Sequence, residues 1–228
     1  MKGPLLELFD CFAGRVTPMM VVLSFFSTFV VLFLCFPIRA YCRGFVAKKL
    51  GDDSAERAGM LTLNPLAHID PLGALCMCIC CIGWSRYTPV NPARCRKVSQ
   101  KQAVILISLT GPLSLVVLGY IMMLIGKLVI GAAPDSEALM WIFIGLASAA
   151  QISVYLAVLN ILPIPGFDGY GIIQWFLPHR ATYWIETHAQ IINFIFFVLL
   201  ISGVLSRPLN FLSGAVMRFL NFATGFIG

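Results

Sequence analysis

Charge and histidine are scarce in this sequence. Of its 228 residues only 11% are charged, ten are acidic and three are histidine. A soluble domain carries about 25% charge and about 45–50% apolar residues, whereas 59% of this chain is hydrophobic and its mean hydropathy is +0.90. The shortage of charge excludes a disordered chain, a collagen, a coiled coil and an ordinary cytosolic enzyme. What remains is a protein that lives in lipid, with the bilayer as its first partner and room for one membrane domain. The net charge of +6 does not call for nucleic acid, because basic residues of membrane proteins collect in cytoplasmic loops. Two acids, Glu7 and Asp10, precede the first apolar run and no small-residue cleavage site follows it. That run is expected to stay as a membrane helix rather than leave as a signal peptide. Most of the eight cysteines sit inside apolar runs, such as 75–82, where cysteine acts as a small hydrophobe. The spacing of Cys76, Cys78, Cys80 and Cys81 fits no zinc knuckle.

Long apolar stretches set the architecture. Met19 to Phe36 is nearly continuous, Pro37 interrupts it near its end, and a more polar helix is expected over 39–50, broken by Gly51-Asp52-Asp53. A polar loop fills 54–71. Leu72 to Ile82 is apolar but too short to span and reads as a re-entrant hairpin. Further spans are expected at 103–131, with Gly111-Pro112 as a kink or close-packing point, at 138–162, and around a core of 191–205. From Leu209 onward, Leu212, Val216, Phe219, Leu220 and Ala223 share one helical face and Asn210, Arg218, Asn221 and Gly225 lie towards the other, which predicts an interfacial amphipathic helix. The expected fold is an all-α membrane protein of about four transmembrane helices, a short re-entrant hairpin and a C-terminal interfacial helix. It is one domain over 1–228, with its core at about 19–206 and a tail over 209–228.

Ten of the sixteen basic residues fall in two stretches, 39–57 and 84–101, joined by the hairpin, and the loop holding Asp135 and Glu137 has no base. The positive-inside rule puts both basic stretches in the cytoplasm of a protein integral to the cell membrane. Trp175, Tyr183 and Trp184, with His179 and His188 nearby, read as an interfacial aromatic belt.

An ionisable residue at membrane depth is the first place to seek chemistry. Nine of the ten acids precede a span or lie in loops; the tenth is Asp168. It follows a break, Pro163-Ile164-Pro165-Gly166, between two apolar stretches. Irregular backbone at such depth is tolerated only when buried or lining a cavity. A carboxylate there is a candidate metal ligand, proton relay or ion-pair partner.

Asn160-x-x-Pro163-x-Pro165-x-x-Asp168-Gly169 resembles the aspartate motif of the site-2 protease family of intramembrane zinc metallopeptidases. The loop containing Asn64, Pro65, His68 and Asp70, the 83–92 segment, and Gly111-Pro112-Leu113-Ser114 resemble further elements of its compact bacterial and archaeal members, in the same order. The resemblance covers about 20–205. It implies a zinc site built from a His-Glu-x-x-His helix and a distant Asp: the two histidines at i and i+4 bind the metal, the glutamate acts as general base, and the Asp is the third protein ligand. Counting back from Leu50-Gly51-Asp52, the matching positions read Arg39-Ala40-Tyr41-Cys42-Arg43. Arginine has no lone pair to give a metal, and Ala40 offers no base. The Asn of the family's Gly-Pro-x-Ser-Asn pattern is Leu115 here.

The resemblance therefore implies a pseudoprotease, with zinc not expected as a cofactor and a partner's transmembrane helix as the expected ligand. Asp168 would mark the metal position, and Arg39 and Arg43 are expected to pair with it in place of the ion. Three other readings stay open: an active zinc protease with an unusual ligand set drawing on Asp168 and His68, a small transporter or channel component, for which the sequence lacks repeat symmetry, and snorkelling of both arginines out of the membrane.

Overall fold

The computed structural model describes residues 3–225. The first two and last three residues of the expected 1–228 domain, and with them the end of the 209–228 tail, lie outside the described residues. A short helix, α1 (Pro4–Phe12), precedes the first span and was not evident from the sequence. The first span runs unbroken over Pro18–Leu50, as α2 (Pro18–Val30), a π-helical turn over Val31–Cys35, and α3 (Phe36–Leu50). Pro37 explains the turn. A proline ring collides with the carbonyl four residues back and donates nothing to it. Widening the turn, with Phe36 N–H reaching Val31 O, absorbs the proline without ending the helix.

The polar loop that follows holds α4 (Ser54–Arg57) and α5 (Pro65–His68), and leads into α6 (Pro71–Cys80). Asn64 caps α5 by accepting from Leu66 N–H at 3.1 Å, and Asp70 caps α6 by accepting from Gly73 N–H at 2.8 Å. In both, proline takes the first helical position, where its missing donor costs nothing. Beyond α6 the chain returns to where it left: Ile69 and Ser85 form an isolated antiparallel bridge, and Arg86 N–H donates to His68 O at 2.7 Å. A Cβ on Gly73 would lie 2.2 Å from Trp84 O, so only glycine lets the two limbs close. This is the re-entrant hairpin, ten helical residues long.

The next spans are α7 (Gln100–Ala132), started by a Ser99/Gln102 capping box, and α8 (Glu137–Ile161). They pack closely through small residues: Gly119 faces Val154 and the Ala150 carbonyl. Ser27 donates to Gly145 O at 3.0 Å, tying α2 to α8. After α8 come α9 (Asp168–Ile173), α10 (His179–Thr187), α11 (Ala189–Ile201) and α12 (Ser206–Ala223). The fourth span differs from its expected core of 191–205. Its apolar helix stops at Ile201, and Gly203, at φ +80°, turns the chain. Thirteen residues cannot cross a bilayer. Only with α10, bent from α11 by 68°, does it make a fourth span.

Along α12, Leu209, Ser213 and Leu220 are the buried positions, with Thr224 buried just past its end, and Gln151 of α8 reaches Ser213 at 3.5 Å. Leu212 and Phe219 face outward. The result is an all-α membrane protein in which, among the described residues, three helices are long and apolar enough to span a bilayer, four when the bent pair is counted. Its core joins Cys35 and Phe36 of the first span, Met77 of the hairpin, Leu115 of α7, Leu156 of α8 and Phe196 of α11.

Candidate functional site

Arg39 and Arg43 stand four apart on α3, one turn of helix, so they share a face. Ala40 is buried beside them. Opposite, α8 ends and the chain must turn back towards its own terminus. Pro163 and Pro165 withhold two N–H donors, Gly166 takes φ +92°, and Phe167 N–H bonds Ile164 O at 3.0 Å. Gly169 then packs against the end of α8, where a Cβ would lie 1.9 Å from Ile161 O. The break places Asp168 as the first residue of α9, facing α3.

The structure brings Arg39, Arg43 and Asp168 together. Arg39 Nη2 lies 2.6 Å from Asp168 Oδ2, and Arg43 Nη1 lies 2.7 Å from Oδ1. The carboxylate side chain is 2% exposed and the guanidinium side chains 15% and 21%. Asn160 joins the cluster: its Oδ1 accepts from Arg39 Nη2 at 2.8 Å while its Nδ2 donates to Leu156 O at 2.7 Å. Gly111 of α7 makes the space. A Cβ there would sit 2.6 Å from Asp168 Oδ2 and 3.2 Å from Arg39 Nε. Gly111-Pro112 is thus a close-packing point against the ion pair. Charge-assisted bonds to both carboxylate oxygens are the strong kind. Buried as they are, each partner depends on the others, because an unpaired charge there is costly.

His68 is fully buried, and its Nε2 is spent on Thr62 O at 2.7 Å. With the caps of Asn64 and Asp70 it holds the loop before the hairpin. Among the described residues no group of three His, Cys, Asp or Glu side chains could hold a metal ion. Cys76, Cys78 and Cys80 wind along α6 as free thiols. Tyr183 and Trp184 are exposed, and Trp184 stacks on His188 with centroids 4.6 Å apart.

Two features had no assigned role in the sequence. Asp52 is fully buried and accepts from Ser54 N–H at 3.0 Å, Ser54 Oγ at 2.5 Å and Asn91 N–H, so it ties the first basic stretch to the second. Its place in Leu50-Gly51-Asp52 was the only local signal. The neighbouring Asp53 is half-buried, and its hydrogen bond from Arg57 holds its carboxyl below the ordinary range. Asn193 of α11 is the second: it lines the site, and nothing local distinguishes it from any polar residue in an apolar helix.

A cavity of about 460 Å³ opens beside the ion pair. Arg39, Ala40 and Arg43 form one wall, the 82–88 return limb of the hairpin a second, and Phe196, Phe197 and Leu200 of α11 a third.

Two relatives match this chain over most of its length. "Putative zinc metalloprotease YwhC" of Bacillus subtilis is 34% identical over 177 residues, covering 75% of this chain and 78% of that protein. The chain belongs to the site-2 protease family. "Putative zinc metalloprotease Rip2" of Mycolicibacterium smegmatis is 28% identical over 199 residues, covering 81% of this chain and 72% of that protein. No protein-family model matches the chain, and no solved structure matches it significantly. The donors assembled at the family's metal position do not fit zinc. Two of the three residues are arginines, which have no lone pair to offer, and both oxygens of the third, Asp168, are engaged by them.

Proposed function

We propose that this chain is a pseudoprotease of the site-2 protease family: an integral membrane protein that has given up hydrolysis and holds a membrane segment of a partner without cutting it. One observation carries the reading. Where the family resemblance puts zinc, Asp168 is bridged by Arg39 at 2.6 Å and by Arg43 at 2.7 Å. The ion pair does the mechanical work of a metal, joining the first span to α9, and supplies none of its Lewis acidity. Ala40, in the general-base position, has no group to take a proton from water. The cavity beside the pair is kept, with Trp84 and Phe196 on its walls, and this supports a retained binding role. The basic stretches 39–57 and 84–101 are read as cytoplasmic by the positive-inside rule.

The names of the relatives favour the alternative, an active zinc endopeptidase with a non-standard ligand set. That reading needs three protein ligands around one ion, and Asp168 with His68 supplies two. One experiment separates the two readings. The full chain is purified in detergent, its zinc content measured, and a single-span reporter substrate incubated with it. The proposal expects zinc far below one per chain and no cleavage. Stoichiometric zinc that is lost in Asp168→Asn, or reporter cleavage stopped by a chelator, would overturn it.

A further inference from the structure

The cavity wall has an unusual charge. Its lining includes three arginines, Arg39, Arg43 and Arg86, and no acid among the described residues. Asp168 lies behind the wall with both oxygens taken. Two guanidinium groups against one carboxylate leave an excess of one positive charge at the cavity floor. Nor are all the donors used: Arg43 Nε is buried and finds no acceptor among the described residues. That N–H is enclosed, but the Arg43 side chain as a whole keeps 21% exposure and lines the cavity, so an anion there meets the guanidinium charge. Arg86, exposed at the rim, adds a second cation along the way in.

Most of the remaining lining is apolar, with Phe36, Leu115, Leu156, Phe196 and Leu200 prominent, interrupted by Thr88, Asn160 and Asn193. A volume of about 460 Å³ falls in the range of small-molecule sites, roughly 300–1,000 Å³. A site with cations at its floor and rim, mostly hydrocarbon on its other walls and a bilayer around it suits an amphiphile with one anionic end and a single apolar chain. We propose that the cavity binds a long-chain fatty acid, its carboxylate on Arg43 and Arg86 and its acyl chain along Phe36, Phe196 and Leu200. This goes beyond the partner-binding reading. A partner segment and the fatty acid use the same walls, so each excludes the other.

The test uses the full chain, purified in a neutral detergent and stripped of lipid, with radiolabelled palmitate as the probe. Hexadecanol supplies the chain without the charge, and acetate the charge without the chain. Palmitate is expected to bind saturably, at roughly one per chain, and about tenfold or more tighter than hexadecanol; acetate is expected not to compete. Arg86→Gln leaves the Asp168 pair intact and so guards against misfolding. It is expected to weaken palmitate several-fold and leave hexadecanol unchanged, and Arg43→Gln to weaken palmitate further. Equal binding of palmitate and hexadecanol, or palmitate binding indifferent to both substitutions, would overturn the proposal. So would arginine-dependent binding of a single-span peptide carrying a central glutamate when palmitate shows none, because the cavity would then be reading a protein's acid instead.

Discussion

Asp168 Oδ2 lies 2.6 Å from Arg39 Nη2, joining residues 129 positions apart in the chain. With Arg43 on the other oxygen, this single carboxylate holds α9 against the first span. Its side chain is 2% exposed, so solvent screens the pair little. Asp168→Asn removes the charge and leaves two guanidinium groups facing a neutral amide. The expected loss is about 3–5 kcal/mol, read as a lowered unfolding midpoint in detergent. Adding Arg39→Gln and Arg43→Gln to Asp168→Asn is expected to restore part of that loss, because no charge is then left unpaired. A triple variant less stable than Asp168→Asn alone would contradict this account.

Gly111 gives an independent check of the same cluster. A Cβ at that position would stand 2.6 Å from Asp168 Oδ2 and 3.2 Å from Arg39 Nε. Gly111→Ala must push the pair apart or move α7. Overpacking of this kind costs about 1–3 kcal/mol, even though alanine is the better helix former by about 1 kcal/mol. Gly131→Ala is the control: it lies in the same helix with nothing within 4 Å of its Cβ. It is expected to be neutral or slightly stabilising in the same melting assay.

Much of this cluster is legible in the amino-acid sequence. Arg39 and Arg43 sit one helical turn apart, so they share a face, and Asp168 follows the Pro163-Ile164-Pro165-Gly166 break between two apolar stretches. The family resemblance then brings the two bases and the acid to a common point. The spans at 103–131 and 138–162 are legible for a simpler reason, since continuous hydropathy is a local property. The contact between Asp52 and Asn91 is not. It joins two loops 39 residues apart, and a side chain bonding a remote backbone N–H leaves no periodic trace. The 68° bend between α10 and α11 is hidden as well, because the residues on either side of His188 are compatible with a continuous helix. In α12 the expected apolar face is split, with Leu212 and Phe219 exposed and Leu220 buried, and the packed face mixes Leu209 and Leu220 with Ser213. In lipid, exposed and buried surfaces are both apolar, so periodicity identifies a face without saying what covers it.

Asp52 is expected to hold the two basic stretches together. It is fully buried and accepts from Ser54 and Asn91. Asp52→Ala leaves the Asn91 N–H without its acceptor, a loss of about 1–3 kcal/mol. The damage should be local. Amide exchange is expected to quicken over 51–58 and 89–95 while the centres of α7 and α8 keep their protection. Uniform loosening of the whole molecule would show that Asp52 supports the fold at large instead of this junction.

The last prediction reverses the replacement at the metal position. Arg39→His, Ala40→Glu and Arg43→His together rebuild the family's helix opposite Asp168, whose carboxylate is then released from both guanidinium groups. Two imidazoles one turn apart and a carboxylate facing them form a three-ligand set of the catalytic zinc type. The triple variant is expected to take up about one zinc per chain, measured on protein dialysed against zinc and then against metal-free buffer. The parent chain is expected to retain far less. Adding Asp168→Asn to the triple variant should weaken zinc binding about tenfold or more, since a charged ligand becomes a neutral amide. Zinc uptake that ignores Asp168 would show that α3 and α9 do not meet around a common point, and the ion pair could no longer be read as the metal's successor.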